Sequence, residues 1–164
     1  MKLNPQDLKK IALLTLEHYN QHAEEFWKGT RYHNVSQNIE ALLQHIKGKP
    51  PFTILDFGCG PGRDLKAFVE QGHNVIGLDG AEHFVTMARA YSGREVWRQD
   101  FLKLALPEKQ FDGVFANAAL SWNTFGSNFS CMVSSYSTDA AAGCCAESNK
   151  AKGLGARITL QNFR

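Results

Sequence analysis

The stretch Phe52–Asp79 reads FTILDFGCGPGRDLKAFVEQGHNVIGLD and spells one strand–loop–helix–strand unit. Phe52 to Leu55 is a short apolar run rich in β-formers, followed by Asp56 and then by Gly58, Gly60 and Gly62 at every second position. Arg63 to Gln71 carries Leu65, Phe68 and Val69 at helical spacing, with Gly72 just past the end. Asn74 to Leu78 is a second apolar run closed by Asp79. A glycine-rich turn between strand and helix lets backbone approach a ligand closely and points free amide donors at it. An acid at the tip of the next strand can accept two hydrogen bonds from a ribose diol. The unit therefore predicts a nucleoside-cofactor site.

Glycine spacing decides between cofactors. A dinucleotide fingerprint is G-x-G-x-x-G, whereas Arg63 stands where its third glycine would fall and the pattern here is D-x-G-x-G-x-G. That spacing, with the lack of a Tyr-x-x-x-Lys pair, disfavours a nicotinamide oxidoreductase. The loop resembles motif I of the class I methyltransferases that use S-adenosylmethionine. Asp79 matches that family's ribose-binding acid, Gln99-Asp100-Phe101 the segment that meets the adenine amino group, and Phe111–Leu120 (FDGVFANAAL) the fourth strand and its exit.

The resemblance implies a Rossmann-like α/β fold with parallel strands in the order 3-2-1-4 and S-adenosylmethionine as cofactor. It implies that Asp56, Gly58, Cys59, Gly60, Gly62, Asp79, Gly80, Asp100, Phe101 and Asn117 surround that cofactor. Each acid has a plainer alternative: Asp56 as a loop cap, Asp79 as a turn residue before Gly80, Asp100 as a surface turn. The central strands are expected at Thr53–Leu55, Val75–Leu78, Glu95–Arg98 and Gly113–Phe115, with a helix from Gly80 to Tyr91 as the crossover.

Before the unit, Asn4-Pro5 opens a helix expected to run to about Gln21, and Asn34 to Ile46 carries a second apolar stripe. The family often closes an N-terminal helix and aromatic residues over the cofactor, so Tyr19, Phe26, Trp27 and Arg31 are lid candidates beside a simple packing role. His18 and His22 share a helix face, but no third ligand accompanies them and no metal site is expected. Four cysteines without C-x-x-C spacing, and Leu3–Leu16 interrupted by polar residues, predict reduced thiols, a cytoplasmic location and no membrane span. A formal charge of +2 with no basic run argues against a nucleic-acid partner.

The resemblance covers roughly residues 15 to 120 and stops there. The segment 121–164 is rich in Ser, Ala, Gly and Asn without sustained periodicity, and is expected to be an alternative C-terminus joined to a methyltransferase front half. The chain then reads as a helical lid or cap (1–48), a cofactor-binding core (49–120) and an atypical low-order tail (121–164) within a single domain. Strand four is left as an edge whose only alternating candidate partner is Ala156–Phe163, so a tail mobile to about Ala156 and reduced turnover are expected. No general base emerges from Ser121, Trp122 and Asn123, and Asn117-Ala118-Ala119-Leu120 departs from the N/D-P-P-Y/F motif used on nucleic-acid amino groups. The expected function is methyl transfer to a small-molecule acceptor. Its rival is a catalytically impaired isoform that binds cofactor weakly or acts through a protein partner.

Overall fold

The computed structural model describes residues 4–117 and 132–135. Five helices, α1 (Pro5–Gln21), α2 (Ala23–Thr30), α3 (Ser36–His45), α4 (Arg63–Glu70) and α5 (Glu82–Ser92), accompany five strands. The strands are β1 (Thr53–Phe57), β2 (Asn74–Asp79), β3 (Val96–Arg98), β4 (Gly113–Ala116) and β5 (Met132–Ser135). They form one sheet in the order β3-β2-β1-β4-β5, with the first three pairings parallel. The expected 3-2-1-4 order is thus present, and ligands in such sheets bind beyond the carboxyl ends at the β1/β4 switch.

β1 is central, and four of its five residues are buried, as a strand covered on both faces requires. One face carries Ile54, Val75, Val96 and Phe115 against Leu65, Phe68, Val85, Ile39 and Leu42 of the helices. The other carries Leu55, Phe57, Leu78 and Val114 beneath Phe101, Leu104, Leu106 and Phe111. The run from Phe101 to Leu106 therefore covers the sheet without being a helix.

Two features differ from the sequence reading. The first is α2. Glu24 and Glu25 in its first turn and Lys28 in its last complement the helix dipole, and the chain bends at His22 (φ −113°, ψ 19°) between α1 and α2. The second is β5. Met132–Ser135 pairs antiparallel with β4, Ala116 opposite Met132 and Gly113 opposite Ser135. The edge of β4 is thus covered by a four-residue strand from within the segment expected to be mobile, because an open row of N–H and C=O groups takes the nearest partner. Ala156–Phe163, Ser121–Asn123 and Cys131, Cys144 and Cys145 lie outside the described residues, as does the exit of strand four beyond Asn117.

Among the described residues no helix is long and apolar enough to cross a membrane, and no group of three His, Cys, Asp or Glu is placed to hold a metal. His18 and His22 stack on one another at 4.4 Å.

His73, at the foot of β2, is buried, stacks on Phe52 at 5.5 Å and accepts the Phe52 N–H at Nδ1 (3.2 Å). Burial lowers its pKa from 6.5. Below that value the unfolded chain binds a proton that the folded chain refuses, so this group's contribution to stability is full above 6.5 and declines as pH falls. The urea midpoint is expected to drop between pH 7 and pH 5.5, and to drop less in His73→Gln, which keeps an acceptor. An equal drop in both proteins would remove His73 from this role.

Candidate cofactor site

The glycine loop is built on backbone that side chains resist. Gly60 has φ 52° and Gly62, the N-cap of α4, has φ 94°. A Cβ on Gly62 would lie 2.8 Å from the Ala88 Cα of α5, so α4 and α5 meet at this residue. A Cβ on Gly60 would stand 3.8 Å from the Phe26 ring, within the space between the loop and α2. Gly60 thus keeps a cradle clear, whereas Gly62 permits packing.

The loop amides are not free, in contrast to the sequence expectation. The Gly58 and Cys59 N–H groups donate to the Leu78 carbonyl (2.7 and 3.1 Å). The Gly60 N–H donates to Asp79 Oδ2 (2.9 Å), while Asp79 Oδ1 accepts the Ala81 N–H (2.9 Å). Asp79 therefore straps the loop to the end of β2 as well as facing the cavity. With the Gly80 N–H also directed at it, the carboxylate keeps acceptor capacity for at least one further donor. Burial raises its pKa, opposed by the N–H groups of Ala81, Gly60 and Gly80.

Asp56 is more deeply placed, with 1% of its surface exposed. The Leu65 N–H donates to its carboxylate, but Oδ2 is buried without a partner among the described residues. Burial first, then the carboxylates of Asp64 and Asp79, push its pKa well above the usual range, against Arg63 and the Leu65 N–H. Cys59 is raised as well, by burial and then by Asp56 and Asp79. A buried carboxylate oxygen without a partner is costly, and a cationic donor is the group that would relieve it.

Beside the loop runs a chain of polar contacts. Arg63 grips Asp64 through Nε and Nη2 (2.6 and 3.0 Å) and donates through Nη1 to the Thr30 carbonyl at the end of α2 (3.0 Å). Asn117, just past β4, donates to Asp64 Oδ2 (3.2 Å) and accepts from Asn38 of α3 (3.1 Å). Four elements are thereby joined around the head of α4.

These groups line a cavity of about 730 Å³ at the carboxyl ends of the strands, within the size range of small-molecule sites. Of the residues expected from sequence, Gly58, Cys59, Gly60, Asp79, Gly80, Asp100, Phe101 and Asn117 line it. Asp56 and Gly62 support the loop from behind. Asp100 accepts the Leu102 N–H (2.9 Å) and Phe101 stacks on Phe57 at 4.6 Å. Tyr19 and Phe26 line the cavity and contact Phe84 at 5.3 and 5.1 Å. Trp27 instead packs on Tyr91 (4.8 Å) and Arg31 lies over the Tyr32 ring (4.6 Å), neither in the cavity wall. Sequence reasoning missed Phe84 as part of this aromatic cluster, along with Asn38 and Asp64. The apolar stripe of α5 held the first, but the other two gave no local signal.

Residues 55–130 match the methyltransferase domain family. An uncharacterized methyltransferase of Geobacillus sp. is 32% identical over 103 residues, 62% of this chain and 47% of that relative. Trans-aconitate 2-methyltransferase of Azoarcus sp. is 33% identical over 83 residues, 49% of this chain and 33% of the relative. The chain spans less than half the length of either. Among solved structures, magnesium protoporphyrin IX methyltransferase of Synechocystis PCC 6803 with bound SAH has a TM-score of 0.51 at 17% identity. It covers 64% of this chain and 57% of that one, a likeness of fold. The spacing of the glycine loop and the order of the sheet have the same explanation as these likenesses: the chain carries, over residues 55–130, a methyltransferase domain of the class I, S-adenosylmethionine-dependent kind.

Proposed function

We propose that this chain binds S-adenosylmethionine in the cavity over the glycine loop and transfers its methyl group to a small-molecule acceptor. The observation that carries the reading is the pair of buried strand-end acids around that loop. Asp79 lines the cavity with acceptor capacity left for a ribose hydroxyl, and Asp56, behind the loop, keeps an Oδ2 without a partner among the described residues, which adds negative charge at the cofactor's cationic end. Asp100 and Phe101 fit an adenine, one as acceptor and one as a wall. Tyr19 and Phe26 roof the loop.

When bound, the cofactor supplies an electrophilic methyl on a sulfonium. The protein positions the partners and excludes water. The described cavity walls mix apolar and polar side chains, and among them no run of cations suits a nucleic-acid backbone. A small acceptor is consistent with that.

Calorimetric titration with S-adenosylhomocysteine and, separately, NADH tests the cofactor. Binding of the first and not the second is expected, and the reverse would sink the reading. Turnover with labelled S-adenosylmethionine then separates an enzyme from a chain that only binds.

The Asp56 carboxylate also makes a stability prediction. Its folded-state pKa is raised, so its cost to the ligand-free fold grows as pH rises through that value. Asp56→Asn is expected to stabilise the ligand-free protein at pH 7.5 by ~0.5–2 kcal/mol. The same variant should gain less from added S-adenosylhomocysteine. Urea melts with and without ligand check both parts, and a lower ligand-free midpoint than wild type would count against them.

A further inference from the structure

The six histidines differ in what their rings do. His22 contacts the His18 carbonyl, His45 the Ala41 carbonyl and His83 the Asn20 carbonyl. His73 accepts the Phe52 N–H, and His18 stacks on His22. Among the described residues, only the His33 ring has neither a hydrogen-bond nor a ring partner, and His33 lies in the cavity wall.

Its backbone is held. The His33 N–H donates to the Thr30 carbonyl (3.0 Å), the same oxygen that accepts from Arg63 (3.0 Å). The next residue, Asn34, accepts the N–H and hydroxyl of Ser36 (2.9 and 2.7 Å) and opens α3. His33 thus stands on a pinned turn between α2 and α3.

Sheet order locates that turn. Asp79 ends β2 and Asp100 follows β3, whereas the Arg63–Asp64–Asn117 chain that holds Thr30 sits between α4 and the end of β4. A ligand whose ribose meets Asp79 presents its other end to the β4 side, among Asn34, Asn38, Asn117 and His33. Among the described residues of this wall the only cation, Arg63, is matched by Asp64.

We infer that His33 is the proton acceptor for methyl transfer, and that the methyl acceptor is a hydroxyl or amine that loses a proton on reaction, not a carboxylate. This rests on the methyltransferase reading above. A lone pair on the acceptor oxygen or nitrogen forms the new bond to the methyl carbon. The carbon–sulfur bond breaks with its pair left on sulfur. The acceptor's proton passes to a ring nitrogen of His33, which is exposed and returns it to solvent. A sulfonium and a neutral acceptor become a thioether, a neutral methylated product and an imidazolium, so charge balances. Imidazole is the side chain able to take such a proton at neutral pH.

The full chain, with labelled histidine and S-adenosylmethionine carrying a ¹³C-methyl group, gives the test by NMR. Cross-peaks between that methyl and the His33 ring are expected, assigned by their loss in His33→Asn. His33→Ala should keep S-adenosylhomocysteine affinity within about twofold. In protein saturated with S-adenosylhomocysteine, phenol should move the His33 ring resonances more than benzoate does.

Methyl cross-peaks that miss His33, or a loss of affinity beyond about tenfold in His33→Ala, overturn its role as base. A larger response to benzoate, or none to either probe, overturns the acceptor class. Failure of the wild type to bind S-adenosylhomocysteine at all speaks against the methyltransferase reading itself, and the two failures are therefore distinguishable.

Discussion

Gly62→Ala is expected to destabilise the fold by roughly 2–5 kcal/mol. A left-handed backbone costs an L-residue roughly 1–2 kcal/mol, and overpacking adds roughly 1–3 kcal/mol. Both apply, since Gly62 has φ 94° and its Cβ would lie 2.8 Å from Ala88 Cα. The obstacle is backbone, so no rotamer change relieves it, and α5 must move away from α4. Gly72→Ala is the control. Its φ is 83° and nothing stands within 4 Å of the new Cβ, so it should show only the conformational part. The two urea midpoints separate strain from collision, and equal losses would show that the α4–α5 contact at Gly62 is slack.

Asp79→Ala should weaken S-adenosylhomocysteine binding by ~1.5–3 kcal/mol, the scale of charge-assisted hydrogen bonds. The structure adds a second route to the same loss. The carboxylate also holds the Gly60 and Ala81 N–H groups, so its removal frees the loop as well as deleting the proposed ribose contact. Asp79→Asn keeps one acceptor oxygen and should fall between. Gly60→Val should cost at least as much as Asp79→Ala, because its branched Cβ enters the space under Phe26 on backbone at φ 52°. Calorimetry on folded variants decides. Unchanged affinity in both Asp79→Ala and Gly60→Val would move the site away from this loop.

The central unit was legible because its signals are local. Strand, glycine turn, helix and strand-end acid follow one another between Phe52 and Asp79, and the observed β1, α4 and β2 begin and end within two residues of the expected positions. The parallel 3-2-1-4 order came with the family resemblance, and the helical crossovers α4 and α5 agree with it. What was not legible depends on distant partners. Arg63 finds Thr30 across 33 positions, Asn117 finds Asp64 across 53 and Asn38 finds Asn117 across 79. No window of sequence contains such a chain. α2 was hidden because Phe26 and Trp27 invite a functional reading, although they point to different neighbours. β5 was hidden because four residues cannot display a period. The fate of the loop amides was missed for a physical reason too. A glycine turn suggests available donors, but buried amides near a carbonyl and a carboxylate pair with them first.

The antiparallel β5 sets the routing of the chain. Met132 sits opposite Ala116 and Ser135 opposite Gly113, so the chain leaves β4 and enters β5 at one edge of the sheet, the edge bearing the cavity. It leaves β5 about 10 Å away at the other edge, at ~3.3 Å per residue. Ala116 and Met132 thus both stand at the rim that carries the cavity, whereas Ser135 stands at the opposite rim. Changes of length between Ala116 and Met132 should therefore alter what the site admits, whereas changes after Ser135 should register in how firmly the sheet's last strand is held.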